Sequence, residues 1–159
     1  MSDPSPADRL VVPPGWEVVD RPAAGVALVA LEPERAPAAG DRAPFRSNLV
    51  VTAVPTGGLD FRDWQAGSDE ILDRALTDYL LVDLERLQID GLPGGRRLAH
   101  HTGPHDEALT LEQWFVLHEG IGHTLTATVE TARYDELADV TATAAGTWRP
   151  ALPRGADAR

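Results

Sequence analysis

Leu109-Thr110-Leu111-Glu112-Gln113-Trp114-Phe115-Val116-Leu117-His118-Glu119-Gly120-Ile121-Gly122-His123-Thr124-Leu125-Thr126-Ala127-Thr128-Val129-Glu130 is the stretch that decides the fold. Its apolar and polar residues alternate with period two, and the period breaks only at Glu119–Gly122, where two glycines allow a turn. That is a hairpin of two half-buried strands, Leu109–His118 and His123–Glu130. Working back along the chain, Gly103–Ala108 and Gly91–Gly95 are the next turn-rich links, so Arg96–Thr102 and Leu84–Asp90 complete a four-stranded antiparallel meander. Three earlier β-rich segments, Trp16–Asp20, Val26–Leu31 and Asn48–Val54, bring the count to seven.

Two helices interrupt and close this series. Ser68 reads as an N-cap with Asp69 and Glu70 in the first turn, and Ile71, Leu72, Ala75, Leu76, Tyr79 and Leu80 follow at helical spacing, which predicts a helix over 68–81. A second runs over 133–145 and stops at Gly146. A short third fits Phe61–Gln65. Glu32–Pro44, with three prolines and a glycine, reads as a surface loop. The expected class is α+β, an antiparallel six- to seven-stranded sheet with helices packed on its faces. The expected organisation is a loose arm over 1–13, one domain over 14–150 and a tail over 151–159.

Composition narrows function mostly by exclusion. The 159 residues are 43% hydrophobic and 25% charged, ordinary for a folded domain, and no apolar run is long enough for a membrane span. No cysteine is present, which removes disulfides, thiolate nucleophiles and thiolate metal ligands. All 14 basic residues are arginine, so Schiff-base and P-loop lysines are absent too. The net charge of -11 and the scattered arginines disfavour nucleic acid and anionic membranes as partners. With neither a basic n-region nor an apolar h-region at the N-terminus, the expected location is cytoplasmic.

Several segments resemble the actinobacterial LpqN-type family: Phe45-Arg46-Ser47-Asn48-Leu49-Val50-Val51-Thr52, Gly94-Gly95-Arg96-Arg97-Leu98, Leu109-Thr110-Leu111-Glu112-Gln113-Trp114 and Leu125-Thr126-Ala127-Thr128-Val129. The resemblance spans roughly 14–150 and implies a PsbP-like α/β/α sandwich. It also implies a non-catalytic adaptor or binding protein, with no catalytic motif to carry over. The chain departs from the lipoprotein members in having no cysteine to acylate.

The chemistry-bearing residues are sparse. His100, His101 and His105 lie near one end of the meander, and His118 and His123 flank the turn at the other. Strand rise separates the groups by roughly 20 Å, so one five-histidine site is excluded. A metal- or ligand-binding site of His101, His105 and Asp106 is the rival to solvated turn histidines. His118 and His123 could form a pH-sensitive cross-strand pair. Asp83, Glu85 and Glu112 are carboxylates without the cleft that glycosidic chemistry needs, and read as a charged strand entrance. None of the four serines sits in a nucleophile elbow. The expectation is a soluble, non-catalytic binding or adaptor module with no cofactor.

Treating each link as a simple hairpin sets Arg97 opposite Ile89 and Trp114, and Trp114 opposite Ala127. One face then collects Leu87, Ile89, Ala99, Trp114, Val116, Leu125, Ala127 and Val129, with Arg97 over Trp114. The other mixes Leu98, Leu111, Phe115 and Leu117 with Arg86, Gln88, Gln113 and the Thr124, Thr126, Thr128 row. Leu111, Gln113, Phe115, Thr126 and Thr128 form the candidate partner-binding surface, with a homodimer as its expected use. The same strip also fits a core facing a helix.

Overall fold

The computed structural model describes residues 9–20 and 23–150. Residues 1–8 of the arm expected over 1–13, and the tail over 151–159, lie outside the described residues. The elements in chain order are β1 (Glu17–Val18), β2 (Val26–Leu31), β3 (Asn48–Pro55), α1 (Phe61–Ala75), β4 (Thr77–Ile89), β5 (Leu92–Thr102), β6 (Ala108–His118), β7 (Ile121–Glu130) and α2 (Tyr134–Thr147), the last entered through a 3-10 turn. The strands form one antiparallel sheet in the order β1-β2-β3-β7-β6-β5-β4. This is the α+β class expected, and each expected strand lies within or overlaps an observed one.

The first helix differs. It spans Phe61–Ala75, seven residues upstream of the expected start, because the N-cap is Asp60, whose side chain accepts the Asp63 N–H at 2.8 Å. Ser68 sits inside the helix. The stripe begins with Phe61 and Trp64, which the short third helix had isolated. Leu76–Leu81 satisfies helical spacing and strand alternation alike, and pairing with β5 decides for strand, with Leu80 opposite His100 and Leu81 opposite Ala99.

The register of β5 also differs, for a local reason. Asp90 (φ 52°) and Gly91 (φ 76°) are both left-handed, the conformation of a two-residue type I′ hairpin turn. Strand pairing therefore starts at Ile89–Leu92, and Gly94 and Gly95 are strand residues. Arg97 consequently faces Leu84 and Gln113, with Arg96 opposite Trp114. This one-residue slip exchanges Arg97 and Ala99 with Leu98 between the faces. Glu119 (φ 48°) and Gly120 (φ 76°) make a second tight turn, so His118 opposes Ile121 and His123 opposes Val116, and the two histidines do not pair.

α2 closes one face. Ala144 and Trp148 join Ala30, Leu49, Val51, Ile89, Val116, Leu125 and Ala127 in a buried cluster, with Leu10 and Val12 packed against it. Arg9–Val12, assigned to the arm by sequence, thus run along α2, and the Val11 N–H donates to Thr147 Oγ1 at 2.9 Å. The other face carries α1 and the candidate surface.

Candidate partner-binding surface

Phe115 organises the α1 face. Its ring stacks on Phe61 (5.9 Å between centroids, 21°) and meets Trp64 edge-on (5.8 Å, 77°). Two glycines make room for this group. A Cβ on Gly95 would come within 2.5 Å of the Phe115 ring, and one on Gly122 would collide with the Trp64 indole. Gly95 is therefore a floor for an aromatic ring rather than part of a turn, while Gly94 lies close to the Phe115 carbonyl and Ile89.

Beside the rings, Arg97 is 2% exposed and at the centre of a polar chain. Its Nη1 donates to Gln113 Oε1 at 2.7 Å, its Nε lies 3.5 Å from Asp69, and its guanidinium sits 5.1 Å from the Phe115 centroid. Tyr79 donates to Asp69 at 2.9 Å, and Gln113 Nε2 donates to Thr126 Oγ1 at 3.0 Å. Burial pushes the Arg97 guanidinium down against the opposing pull of Tyr79 and Asp69. Burial, then the Asp69 carboxylate, pushes the Tyr79 hydroxyl up. The relay links β4, α1, β5, β6 and β7, and it docks the helix. Arg97 over Trp114, the contact expected from sequence, is replaced by Arg97 over Phe115.

The five candidate residues separate. Leu111 and Phe115 are each 3% exposed and lie inside, whereas Gln113, Thr126 and Thr128 are half-buried. The ring contacts of α1 reach as far as Gly122 of β7. Beyond them Val29, Val50 and Thr126 lie in one cross-strand row, and Val26, Thr52 and Thr124 in the vicinity, all half-exposed. This half of the face is mixed in polarity and free of formal charge from Thr124 to Thr128 and from Asn48 to Val54.

The metal alternative does not assemble. Among the described residues no set of three His, Cys, Asp or Glu side chains could hold an ion. His105 Nδ1 contacts the Arg42 guanidinium, a cation that would repel a metal, and the His105 backbone N–H donates to Glu107 Oε2. His101 is half-buried on β5, and burial lowers its pKa. The three carboxylates also have a structural use: Asp83 and Glu85 lie 3.6 and 3.3 Å from Arg96, and Glu112, 4% exposed, accepts from Arg96 Nε at 2.7 Å. Burial lowers the Arg96 pKa, but Glu112 outweighs it and the net direction is up.

Sequence reasoning missed a second buried carboxylate. Glu32, read as the start of a surface loop, is 4% exposed and accepts from the Ser47 N–H (2.8 Å) and from Arg133 Nη1 (2.8 and 3.1 Å). Burial raises its pKa, the Ser47 amide and Arg133 lower it further, and the net direction is down. No local signal announces a partner 101 residues away.

No family profile matches the sequence, and no curated protein matches it. Solved structures do. LpqN of Mycobacterium tuberculosis, described as involved in cell envelope biogenesis, is similar with a TM-score of 0.70 and 17% identity over 93% of this chain and 87% of its own. PA94 of Pseudomonas aeruginosa, of unknown function, is similar with a TM-score of 0.67 and 17% identity over 92% of this chain and 99% of its own. CyanoP of Synechocystis, a cyanobacterial PsbP, is similar with a TM-score of 0.65 and 19% identity over 94% and 89%. None of these descriptions names a reaction. The cytoplasmic location expected from sequence does not stand against this comparison, since LpqN, of the same fold, is described as involved in cell envelope biogenesis. At such identities the likeness speaks for architecture alone: the chain has the PsbP-like fold, in the form shared with LpqN.

Proposed function

We propose that this protein is a non-catalytic binding module whose open half-face pairs with a second copy of the chain. The observation that carries this reading is the uncharged Val-Thr half of the α1 face, centred on Val50, Gln113, Thr126 and Thr128, which stays half-exposed while Leu111 and Phe115 are buried. Two copies at -11 each repel one another, so they meet at lowest electrostatic cost where neither presents a charge. Burying the valines supplies the attraction, and the threonine hydroxyls keep hydrogen-bonding capacity at the contact.

Sedimentation over a range of concentrations tests this. The wild type should dimerise, more tightly as salt screens the mutual repulsion. Val50→Arg with Thr126→Arg should remain folded by circular dichroism and sediment as a monomer. A wild type that stays monomeric at every concentration overturns the reading.

A further inference from the structure

The two edges of the sheet are unlike. β1 offers two residues, too few to template another strand, whereas β4 offers thirteen. Among the described residues nothing pairs with the outer side of β4. Leu80, Val82 and Leu84 on it are 60%, 49% and 36% exposed, a concentration of uncovered apolar side chains along an edge where the Asp83 carboxylate holds the Leu84 N–H at 2.9 Å. An irregularity between Leu81 and Asp83 breaks the strand, leaving Asp83–Ile89 as seven residues in continuous register. Acidic charge gathers on α1 and β4 together: residues 60–89 hold eight carboxylates against three arginines, of which Asp83, Glu85 and Arg86 lie in this seven-residue segment. Asp83 and Glu85, although near Arg96, remain about half exposed.

We propose that Asp83–Ile89 accepts an extended basic segment of another protein as an eighth, added strand. Backbone hydrogen bonds would supply the pairing, the exposed Leu84, with Val82 at the break just before the segment, would take apolar side chains, and the Asp83 and Glu85 carboxylates would select lysine or arginine between them. A second copy fits this edge poorly. The antiparallel register that uses all seven residues is centred on Arg86 and opposes two arginines; the one centred on Glu85 opposes two carboxylates. The site is separate from the half-face assigned above, which lies on β2, β3, β6 and β7.

The probes are two blocked octapeptides, one alternating valine with lysine and one alternating valine with glutamate, followed by NMR amide exchange. The lysine peptide should slow alternate amides of Asp83–Ile89 by about tenfold or more, with an effect that fades as salt rises. The glutamate peptide should leave them unchanged. Val82→Lys with Leu84→Lys, folded by circular dichroism, should abolish the protection while leaving sedimentation as in the wild type. Equal protection by both peptides, none by the lysine peptide, or protection in the wild type alone that rises with its concentration would each overturn the proposal. The last result would place a second copy on this edge.

Discussion

Val51 and Leu125 are fully buried, while Val50 and Thr126, one residue away in each strand, are half-exposed. The pairs differ only in which way the pleat points them, yet they meet different architectures. On the α2 side, Leu49, Val51, Leu125 and Ala127 close against Ala144 and Trp148, a dry contact specified by size and shape. On the α1 side, three aromatic rings and one buried arginine anchor the helix over β4 to β7 and leave the rest of the face half-exposed. Apolar packing tolerates no gap, whereas a side held by a few directional contacts can end partway across a sheet. That is how one sheet can carry both a core and a surface.

The contrast can be broken most severely on the dry side. Trp148→Ala should cost about 3–5 kcal/mol, since a 1%-exposed indole leaves a cavity that its neighbours cannot fill, and chemical denaturation will measure it. On the α1 side Arg97→Ala should cost about 2–4 kcal/mol through lost packing on Phe115 and an orphaned Gln113 carbonyl. Arg97→Met, which keeps the volume, should recover roughly half of that loss, because the charge itself was costly to bury. Should the two variants be equally unstable, hydrogen bonding rather than packing holds α1.

A smaller effect lies where loop and α2 meet. The Glu32 carboxyl is held below its ordinary 4.5 in the folded state, so its contribution is fully present above that pH and is lost as pH falls through the lowered value. Glu32→Gln should cost about 1–2 kcal/mol at pH 7 and flatten the acid limb of stability, as melting temperatures between pH 3 and 7 would show.

What could be read from sequence follows the range of each signal. Alternation in Val26–Leu31, Asn48–Pro55 and Ala108–His118 is a property of consecutive residues, and so is the periodicity of α2, so these elements were legible without any partner. Composition likewise disposed of thiolate and lysine chemistry. Leu76–Leu81 shows where that reasoning ends, because its leucines and tyrosine suit two periods at once, and only the β5 strand beside it selects one. The candidate surface was legible to the same depth. Alternation placed Gln113, Phe115, Thr126 and Thr128 on one face, but which of them stay open depended on where α1 lies, and its start was misplaced by the Gly67-Ser68 step inside the helix. The face of Arg97 was decided by two backbone torsions at Asp90 and Gly91, and the burial of Glu32 by an arginine 101 residues on. Local periodicity is written in neighbouring residues and determined the sheet and its order of elements. Register, helix docking and the pairing of buried charges are relations between distant residues, and only the folded chain brought them within reach of one another.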